Sequence, residues 1–484
     1  MSSRIQSESD LGQISSTLRA DPDDENIRRF DWPVANEAEA FLRRRVESFL
    51  QQNRFAQHLA KRMQDETATD FFEWIDHLAL SPDDEPMLRE TGFTIDARAA
   101  TSRGEVVYEH ARATLPRVLV GLGQQANPSV IALRPESVAD FIARHNISGE
   151  PDGGPFSRYR RITVAEENGT RLDAVERRGY RGFVSAPLRD GELEAIIQAR
   201  ELWHIRRRVF AEDAEGFVVL NQVLEKVLGR VGRDLACQLF FAEERKYWES
   251  RNTAARAQQR RQDQLGLGWG NHDHHTFRCS RPYFVDVISF LGKLGFQKRE
   301  RYFAGAEAGW GAQICEQPVA GIVVFADVDL MPEETTIDFS TLRLSPAPRL
   351  GTVGLWTGLH GESILEAGMH HLEARFDFAL FREQMKARGI NTMKPFSDFD
   401  FLRQAFTEGE RWPVRRERTE RLLAAGLITA AQCEQFLREG AIGSHLENLQ
   451  RHGGFKGFNQ KSVSAVIAAT DPRKQHFGQQ PVAA

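Results

Sequence analysis

Cysteine is scarce in this chain of 484 residues, which contains only Cys237, Cys279, Cys315 and Cys433. The four lie far apart and form no Cys-x-x-Cys pair, which excludes a zinc ribbon and argues against a disulfide scaffold. Long apolar runs are also missing, since no stretch approaches the roughly 18 apolar residues of a membrane span. The first residues lead into a polar segment without the apolar core of a signal peptide. These absences predict a cytoplasmic chain with no membrane partner.

An excess of one charge is missing as well, because 63 Lys and Arg residues face 68 Asp and Glu residues, for a net charge of −5. This balance predicts no nucleic-acid partner. The basic stretches 256–261 and 411–421 are interrupted by Gln or Glu, which is typical of a solvated helix face. No string matches His-Glu-x-x-His, a Walker A loop or Gly-x-Ser-x-Gly, so Ser–His–Asp catalysis and a phosphate loop have no positive support.

The pattern of apolar residues indicates several units, which the length of the chain allows. Three- and four-residue apolar spacings indicate helices, and alternation indicates strands. The predicted regions are 1–34, a loosely packed N-terminal segment; 35–104, a helical region; 105–190, a first β-containing module; 191–265, a helical insertion; 266–390, a second module; and 391–484, a C-terminal helical region and tail.

The two β-containing modules have a similar order of elements. In the first, a helix signal at 135–145 precedes two alternating strands around Asn168-Gly169, a strong hairpin turn. The second has a clear βαβββ pattern, with elements predicted at 274–279, 282–294, 297–303, 310–316 and 320–328. We therefore predict an α+β fold in which these two modules pair about a pseudo-twofold axis and curve around a shared cavity, with large helical additions.

The strand that opens the second module carries the clearest candidate residues. Positions i, i+2 and i+4 of a strand share a face, so His274, Thr276 and Arg278 point one way. A histidine beside an arginine suits a metal ligand next to a carboxylate-binding group, because the guanidinium is a planar, bidentate partner for a carboxylate. The alternative is a core histidine with a rim arginine.

Candidate partners for His274 come from the first module. His110 lies near the start of a strand, and Glu176 ends a strand face. Two histidines and one carboxylate form the facial triad that holds Fe(II) with open positions for substrate and dioxygen. The alternatives are a structural role for His110 and a surface salt bridge for Glu176.

A second cluster of histidines and carboxylates supplies reserve metal-site candidates. His371 and Glu373 share a strand face and are the reserve pair. His77 also resembles a strand-borne ligand, but its aromatic surroundings favour a helix and a structural role.

These residues resemble the vicinal oxygen chelate superfamily, whose paired βαβββ modules cup a divalent metal. Within it, the sequence looks most like the 2-oxoadipate dioxygenase/decarboxylase (hydroxyglutarate synthase) family. That family opens one module with His-Gly-Ala-Ile-Arg, and His274-His275-Thr276-Phe277-Arg278 keeps its His and Arg. The family's carboxylate ligand lies in a stretch like Phe-Gly-Glu-Ile-Glu-Gln-Arg-Gly, which 172–179 matches at Glu176 and at the final Arg-Gly. The family's second histidine, in Asn-His-Leu-Thr-Pro-Arg, is matched by His110 with different spacing.

The resemblance implies Fe(II), or another divalent metal, bound by His110, Glu176 and His274, with Arg278 pairing to a substrate carboxylate. It implies a dioxygenase/decarboxylase that converts a small 2-oxo acid, like 2-oxoadipate, and dioxygen into a hydroxy acid and CO2. The alternatives are a ring-cleaving dioxygenase, isomerase or lyase of the same superfamily, or a non-catalytic binding protein. In this alignment the glutamate precedes the His-x-x-x-Arg module, the reverse of the family order, which a circular permutation or a shared architecture would explain.

Overall fold

A computed structural model describes residues 32–101, 104–121, 129–305, 308–458 and 460–473. The predicted segment 1–34 thus lies almost wholly outside the described residues. The helices are α1 Asn36–Gln52, α2 Arg54–Arg62, α3 Glu85–Glu90, α4 Val138–His145, α5 Glu192–His204, α6 Asp213–Val231, α7 Arg233–Ser250, α8 Thr253–Asp263, α9 Phe284–Lys293, α10 Thr352–His360, α11 Phe378–Lys386, α12 Arg416–Ala424, α13 Ala430–Glu439 and α14 Gln460–Ala469. Among the described helices, none has the length and apolar character needed to cross a membrane.

The strands form two mixed sheets. Their bounds are β1 Ile75–Leu80, β2 Thr94–Ile95, β3 Val106–Glu109, β4 Arg117–Val120, β5 Ser129–Leu133, β6 Tyr159–Glu167, β7 Thr170–Arg177, β8 His272–Cys279, β9 Gln297–Phe303, β10 Trp310–Gln317, β11 Ile322–Asp329, β12 His371–Arg375, β13 Thr392–Phe399, β14 Leu402–Thr407, β15 Glu410–Trp412 and β16 Ala441–Arg451. The first sheet has the order β2-β3-β4-β1-β5-β7-β6. The second has the order β13-β14-β16-β12-β8-β11-β10-β9, with β15 paired to β16.

The second sheet consists of two βαβββ units joined edge to edge. One unit is β8-α9-β9-β10-β11, in which β8 and β11 are parallel. The other is β12-α11-β13-β14-β16, in which β12 and β16 are parallel, with β15, α12 and α13 inserted before the last strand. The two units meet where β12 and β8 pair antiparallel. The predicted α+β class with paired βαβββ units is therefore confirmed.

The first sheet repeats this plan in a shorter form. Its first unit is β1-α3-β2-β3-β4, with β1 parallel to β4, and its second is β5-α4-β6-β7, with β5 parallel to β7. The units meet at the antiparallel pair of β1 and β5. Each sheet is thus an internal pair of units, whereas the sequence pattern predicted that 105–190 pairs with 266–390.

Two further predictions were wrong for identifiable reasons. The region 391–484 was predicted to be helical with a tail, yet it supplies β13, β14, β15 and β16. The apolar residues of α12 and α13, which are inserted among these strands, dominate its pattern. The boundary at 390 consequently cuts through a unit. His77 was predicted to lie in a helix, but it lies in β1, because its aromatic neighbours Phe71, Phe72 and Trp74 form a short 3-10 turn just before that strand.

Each sheet buries one face against helices. On the second sheet, Phe277, Leu372 and Leu446 pack into the largest apolar core together with the helices α5 to α9. On the first, Leu78 and Leu172 pack against α1 and α2 in a separate core. Because side chains alternate along a strand, the residues between these core positions lie on the opposite face of each sheet. On the second sheet that opposite face carries the polar cluster described next.

Candidate metal centre

Strand register places two rows of polar side chains side by side on the second sheet. Glu373 of β12 pairs with His274 of β8 on one side and with Glu447 of β16 on the other. Two residues earlier on β12, His371 pairs in the same way with Thr276 and with His445. Directly opposed residues on neighbouring strands have Cβ atoms about 5 Å apart. The two rows therefore bring five His and Glu side chains to one patch.

Four of these side chains form a group that could hold a metal ion. Ligand atoms of His274, His371, Glu373 and Glu447 lie within 4.8 Å of one another, and all four residues are buried. His371 Nε2 lies 3.3 Å from Glu373 Oε1 and 3.3 Å from Glu447 Oε2, and His274 Nε2 is in direct contact with Glu373 Oε2. Imidazole and carboxylate donors in this number suit a first-row transition metal.

The histidines of the group are held by their second ring nitrogens. His274 Nδ1 bonds to Asp273 Oδ1 over 3.1 Å, and this carboxylate is itself held by Arg375 Nε at 3.1 Å and Arg451 Nη2 at 3.2 Å. His371 Nδ1 is 3.1 Å from His445 Nε2. Such contacts fix the tautomer and ring orientation of a metal-binding histidine. Both Nε2 atoms are therefore directed into the group.

The carboxylate of Glu447 has its own positioning partner. Gln404 of β14 donates from Nε2 to Glu447 Oε1, which leaves Oε2 on the side of His371. Neither Glu373 Oε2 nor Glu447 Oε2 has a hydrogen-bond partner among the described residues. A buried carboxylate oxygen without a hydrogen-bond donor is costly, and a cation held between these oxygens and the imidazole Nε2 atoms beside them would relieve that cost.

The electrostatics of the group favour neutral imidazoles and a bound cation. Burial lowers the pKa of His274 to about 4, against the opposing effect of Asp273, and holds the pKa of His371 well below its ordinary value. Both rings are thus unprotonated near neutral pH, as metal ligands must be. Burial also raises the pKa of Glu447 well above its ordinary value, because Arg451 compensates its charge only in part.

A buried arginine lies on the same face of β8, two residues beyond Thr276. Arg278 is 1% exposed, and none of its guanidinium nitrogens has a hydrogen-bond partner among the described residues. Its nearest charged neighbour across the register is Asp327 of β11, whose pKa burial raises to about 7 despite Arg278. A fully buried guanidinium with five free N–H donors can bind a carboxylate bidentately.

A small cavity of about 30 Å³ adjoins the group. Its polar wall includes His274, His371, Glu373 and Asp327, and its apolar wall includes Phe325. Helix α14 closes it, and the side chains that face the cavity from this C-terminal part of the chain are Phe458, Val463, Val466 and Ile467.

The structure does not bring His110 and Glu176 to this group. His110 lies on the wall of a separate cleft, with its ring edge-on to Phe93 at a centroid distance of 5.4 Å. Glu176 is buried, accepts a hydrogen bond from Val138 N at the start of α4, and forms ion pairs with Arg160 and Arg178. The reserve candidates His371 and Glu373, in contrast, lie beside His274.

Glu447 is the ligand candidate that the sequence patterns missed. Glu447-Asn448-Leu449-Gln450-Arg451 resembles the family stretch Glu-Ile-Glu-Gln-Arg at its first Glu and at Gln-Arg. His371-Leu372-Glu373-Ala374-Arg375 resembles His-Leu-Thr-Pro-Arg at His, Leu and Arg, with unchanged spacing. These strings would have shown the signal, because they place histidine, histidine and glutamate in the family's own order.

Comparisons with known proteins give remote likenesses. No family model and no curated protein matches the sequence. Solved structures that match include a 4-hydroxymandelate synthase mutant from Streptomyces coelicolor, at 12% identity over 84% of this chain and 100% of that chain, with a TM-score of 0.29. The uncharacterized protein YdcJ from Shigella flexneri, which includes domain DUF1338, matches at 12% identity over 53% of this chain and 73% of that chain, with a TM-score of 0.24. The Mn(II)-bound glyoxalase from Novosphingobium aromaticivorans matches at 10% identity over 78% and 82%, with a TM-score of 0.18. Such likenesses assign neither an activity nor a ligand to this chain.

Proposed function

We propose that the chain is a metal-dependent enzyme of the vicinal oxygen chelate type, and that it acts as an Fe(II) dioxygenase/decarboxylase on a small 2-oxo acid. The observation that carries this proposal is the convergence of His274, His371 and Glu447 on one buried patch. These three residues come from three family-like strings in the family's order, and they meet only because of strand register.

The proposed ligand set is two histidines and one carboxylate. Such a facial triad holds Fe(II) and keeps positions open for substrate and dioxygen. When bound, the metal supplies a template for the oxo acid and electrons for dioxygen chemistry. The chain's own part is to keep both Nε2 atoms unprotonated and aimed, through Asp273 and His445, and to hold Glu447 through Gln404.

Arg278 is the proposed partner of a substrate carboxylate. Its position on the same face of β8 as His274, its burial and its unpaired donors support this role. A cavity of about 30 Å³ is no larger than one water molecule's share of the liquid. Even a small oxo acid therefore requires the side chains of α14 to move outward, and their closure over it would exclude water.

Glu373 supports a second candidate function, a non-oxidative isomerase or lyase. If it binds the metal together with His274, His371 and Glu447, four positions of an octahedral ion are occupied. A chelating oxo acid then fills the remaining two, and dioxygen has none. Binding or release of Glu373 therefore separates an oxygenase from a non-oxidative enzyme on this scaffold.

The test combines metal analysis with oxygen uptake. Protein purified without chelator should contain iron, and His371→Ala and Glu447→Gln should each lose it. The matched controls His110→Ala and Glu176→Gln should keep it, because neither residue reaches the group. Oxygen consumption with 2-oxoadipate should require Fe(II) and should survive Glu373→Ala.

Three outcomes count against the proposal. Purified protein that holds zinc or no metal argues against the oxygenase. Absence of uptake with any 2-oxo acid refutes the decarboxylating reaction, and if metal stays bound it favours the non-oxidative alternative. Retention of iron in both His371→Ala and Glu447→Gln refutes the ligand set itself.

A further inference from the structure

A large cleft lies between the two sheets, and His274 forms part of its wall. Its volume is about 730 Å³, which is typical of sites for small organic ligands. Residues of the first sheet, such as Arg117 and Arg177, line one wall, and residues of the second, such as Asp273 and Arg299, line the other. The cleft shares His274 and Phe325 with the small cavity at the metal group.

The wall of this cleft has more positive than negative side chains. Ten Lys and Arg residues line it, against six Asp and Glu residues. Most of these arginines have carboxylate partners: Arg177 is held by both oxygens of Asp76 at 2.7 and 2.9 Å, and Arg375 by Asp273. The excess of positive charge comes from four side chains that form no ion pair with a carboxylate among the described residues, namely Arg117, Arg134, Lys298 and Lys456.

Of these four side chains, Arg134 directly follows β5 of the first sheet and extends toward Gly321 in the β10–β11 turn of the second sheet. Arg134 Nη1 lies 3.8 Å from the position that a Cβ atom added to Gly321 would occupy. Its guanidinium makes no hydrogen bond to a described residue. Burial lowers the pKa of Arg134, and the nearby Asp76, whose two oxygens are bound to Arg177, offsets this only in part.

Arg117 faces the same space from β4. Its Nη1 donates to the carbonyl oxygen of Arg181 at 2.7 Å, and its guanidinium lies 4.4 Å from the ring of Phe183. Burial and the neighbouring Arg177 lower its pKa to about 10. Two half-buried guanidiniums without an ion pair to any described residue are costly, and an anion in the cleft would relieve both.

We propose that this cleft is a second binding site, separate from the metal group, for a small organic polyanion with at least two phosphate or carboxylate groups. Arg117 and Arg134 bind one anionic group between the sheets, and Lys298 and Lys456 bind another toward solvent. The proposal does not depend on the reaction at the metal, since of the four residues that form the metal group only His274 borders the cleft.

Titration calorimetry with pyrophosphate and, separately, citrate tests the proposal on the full chain. Both probes should bind, and the tighter one identifies phosphate or carboxylate as the preferred group. Arg117→Gln and Arg134→Gln should each weaken binding at least tenfold, whereas Arg134→Lys should restore most of it. Arg158→Gln is the matched control and should bind the probes as the parent does. Arg158 is half-buried and has no ion pair with a carboxylate in the described part of the chain, but it lies outside the cleft.

The variant Glu447→Gln separates the cleft from the metal group. It removes a proposed metal ligand, so binding of both probes should persist if the cleft is the site. Three results would overturn the proposal. The parent chain binds neither probe, Glu447→Gln loses binding, or the affinity is unchanged in both Arg117→Gln and Arg134→Gln. None of these results would alter the metal content or oxygen uptake expected of the parent chain.

Discussion

Replacing Arg278 by Met should stabilise the fold while it removes the proposed contact with a substrate carboxylate. Burial lowers the pKa of Arg278 to about 10 from its ordinary value of 12.5. Because one pKa unit corresponds to about 1.4 kcal/mol, the charged guanidinium costs about 3 kcal/mol in this position relative to water. Methionine fills a similar volume without charge or unsatisfied donors.

The gain should be about 1–3 kcal/mol in the free energy of unfolding, since replacing a buried charge by a packed apolar side chain is often stabilising by this amount. Urea unfolding at pH 6 is the suitable assay. At that pH most of Asp327, whose pKa is about 7, is protonated, so removal of Arg278 leaves no new unpaired charge beside it. Oxygen uptake with 2-oxoadipate should be lost in the same variant.

Arg281 provides the matched control three residues away. It is buried like Arg278, but Nη1 and Nη2 bind Glu334 at 2.6 and 2.5 Å, and Nε binds the carbonyl oxygen of Ser345 at 2.8 Å. Arg281→Met leaves Glu334 without its partner and should cost about 3 kcal/mol or more. If Arg278→Met destabilises the protein as much as Arg281→Met does, Arg278 has internal partners and is not an open anion site.

Three further predictions follow from buried contacts elsewhere. The pKa of Glu39 is lowered to about 2, because hydrogen bonds and charge from His452, Arg43 and the backbone of Gly454 outweigh the effect of burial. The resulting stabilisation is present above the ordinary pKa of 4.5 and is lost as pH falls toward 2. In unfolding experiments, Glu39→Gln should therefore cost about 1–2 kcal/mol at pH 7 and little near pH 2. Asp76→Ala should cost about 3–5 kcal/mol in urea unfolding, because it leaves Arg177 buried without its ion pair, and an unchanged midpoint would contradict this. All four cysteines are free and buried, so the folded protein should react with a thiol reagent only as fast as it unfolds.

The βαβββ unit formed by β8, α9, β9, β10 and β11 could be predicted closely from the sequence, because its elements follow one another closely along the chain. The predicted elements agree with the observed ones within about two residues. The selection of His274 and Arg278 as one strand face needed only the period of two in an extended chain. Neither inference depended on distant parts of the chain.

The composition of the metal group could not be predicted in the same way, because it depends on register between strands that are distant in sequence. Glu447 meets Glu373 only because β16 pairs with β12 in parallel, across an insertion that contains two helices. Glu176 resembled a ligand for local reasons, since it precedes Arg-Arg-Gly, but its carboxylate is used by α4 and two arginines. A short motif cannot distinguish these two cases.

The first sheet shows by contrast why the metal group lies where it does. Strands β1, β5 and β7 of the first sheet correspond to β8, β12 and β16 of the second. The row that pairs across them is His77, Ala132 and Asp173 in the first sheet, and His274, Glu373 and Glu447 in the second. Where the second sheet places His371 in the middle strand, the first has Val130. A histidine and a carboxylate are thus present, but the middle strand supplies two apolar side chains and no ligand. The two sheets share this strand pairing, and the side chains of the middle strand distinguish the candidate metal group from its counterpart in the first sheet.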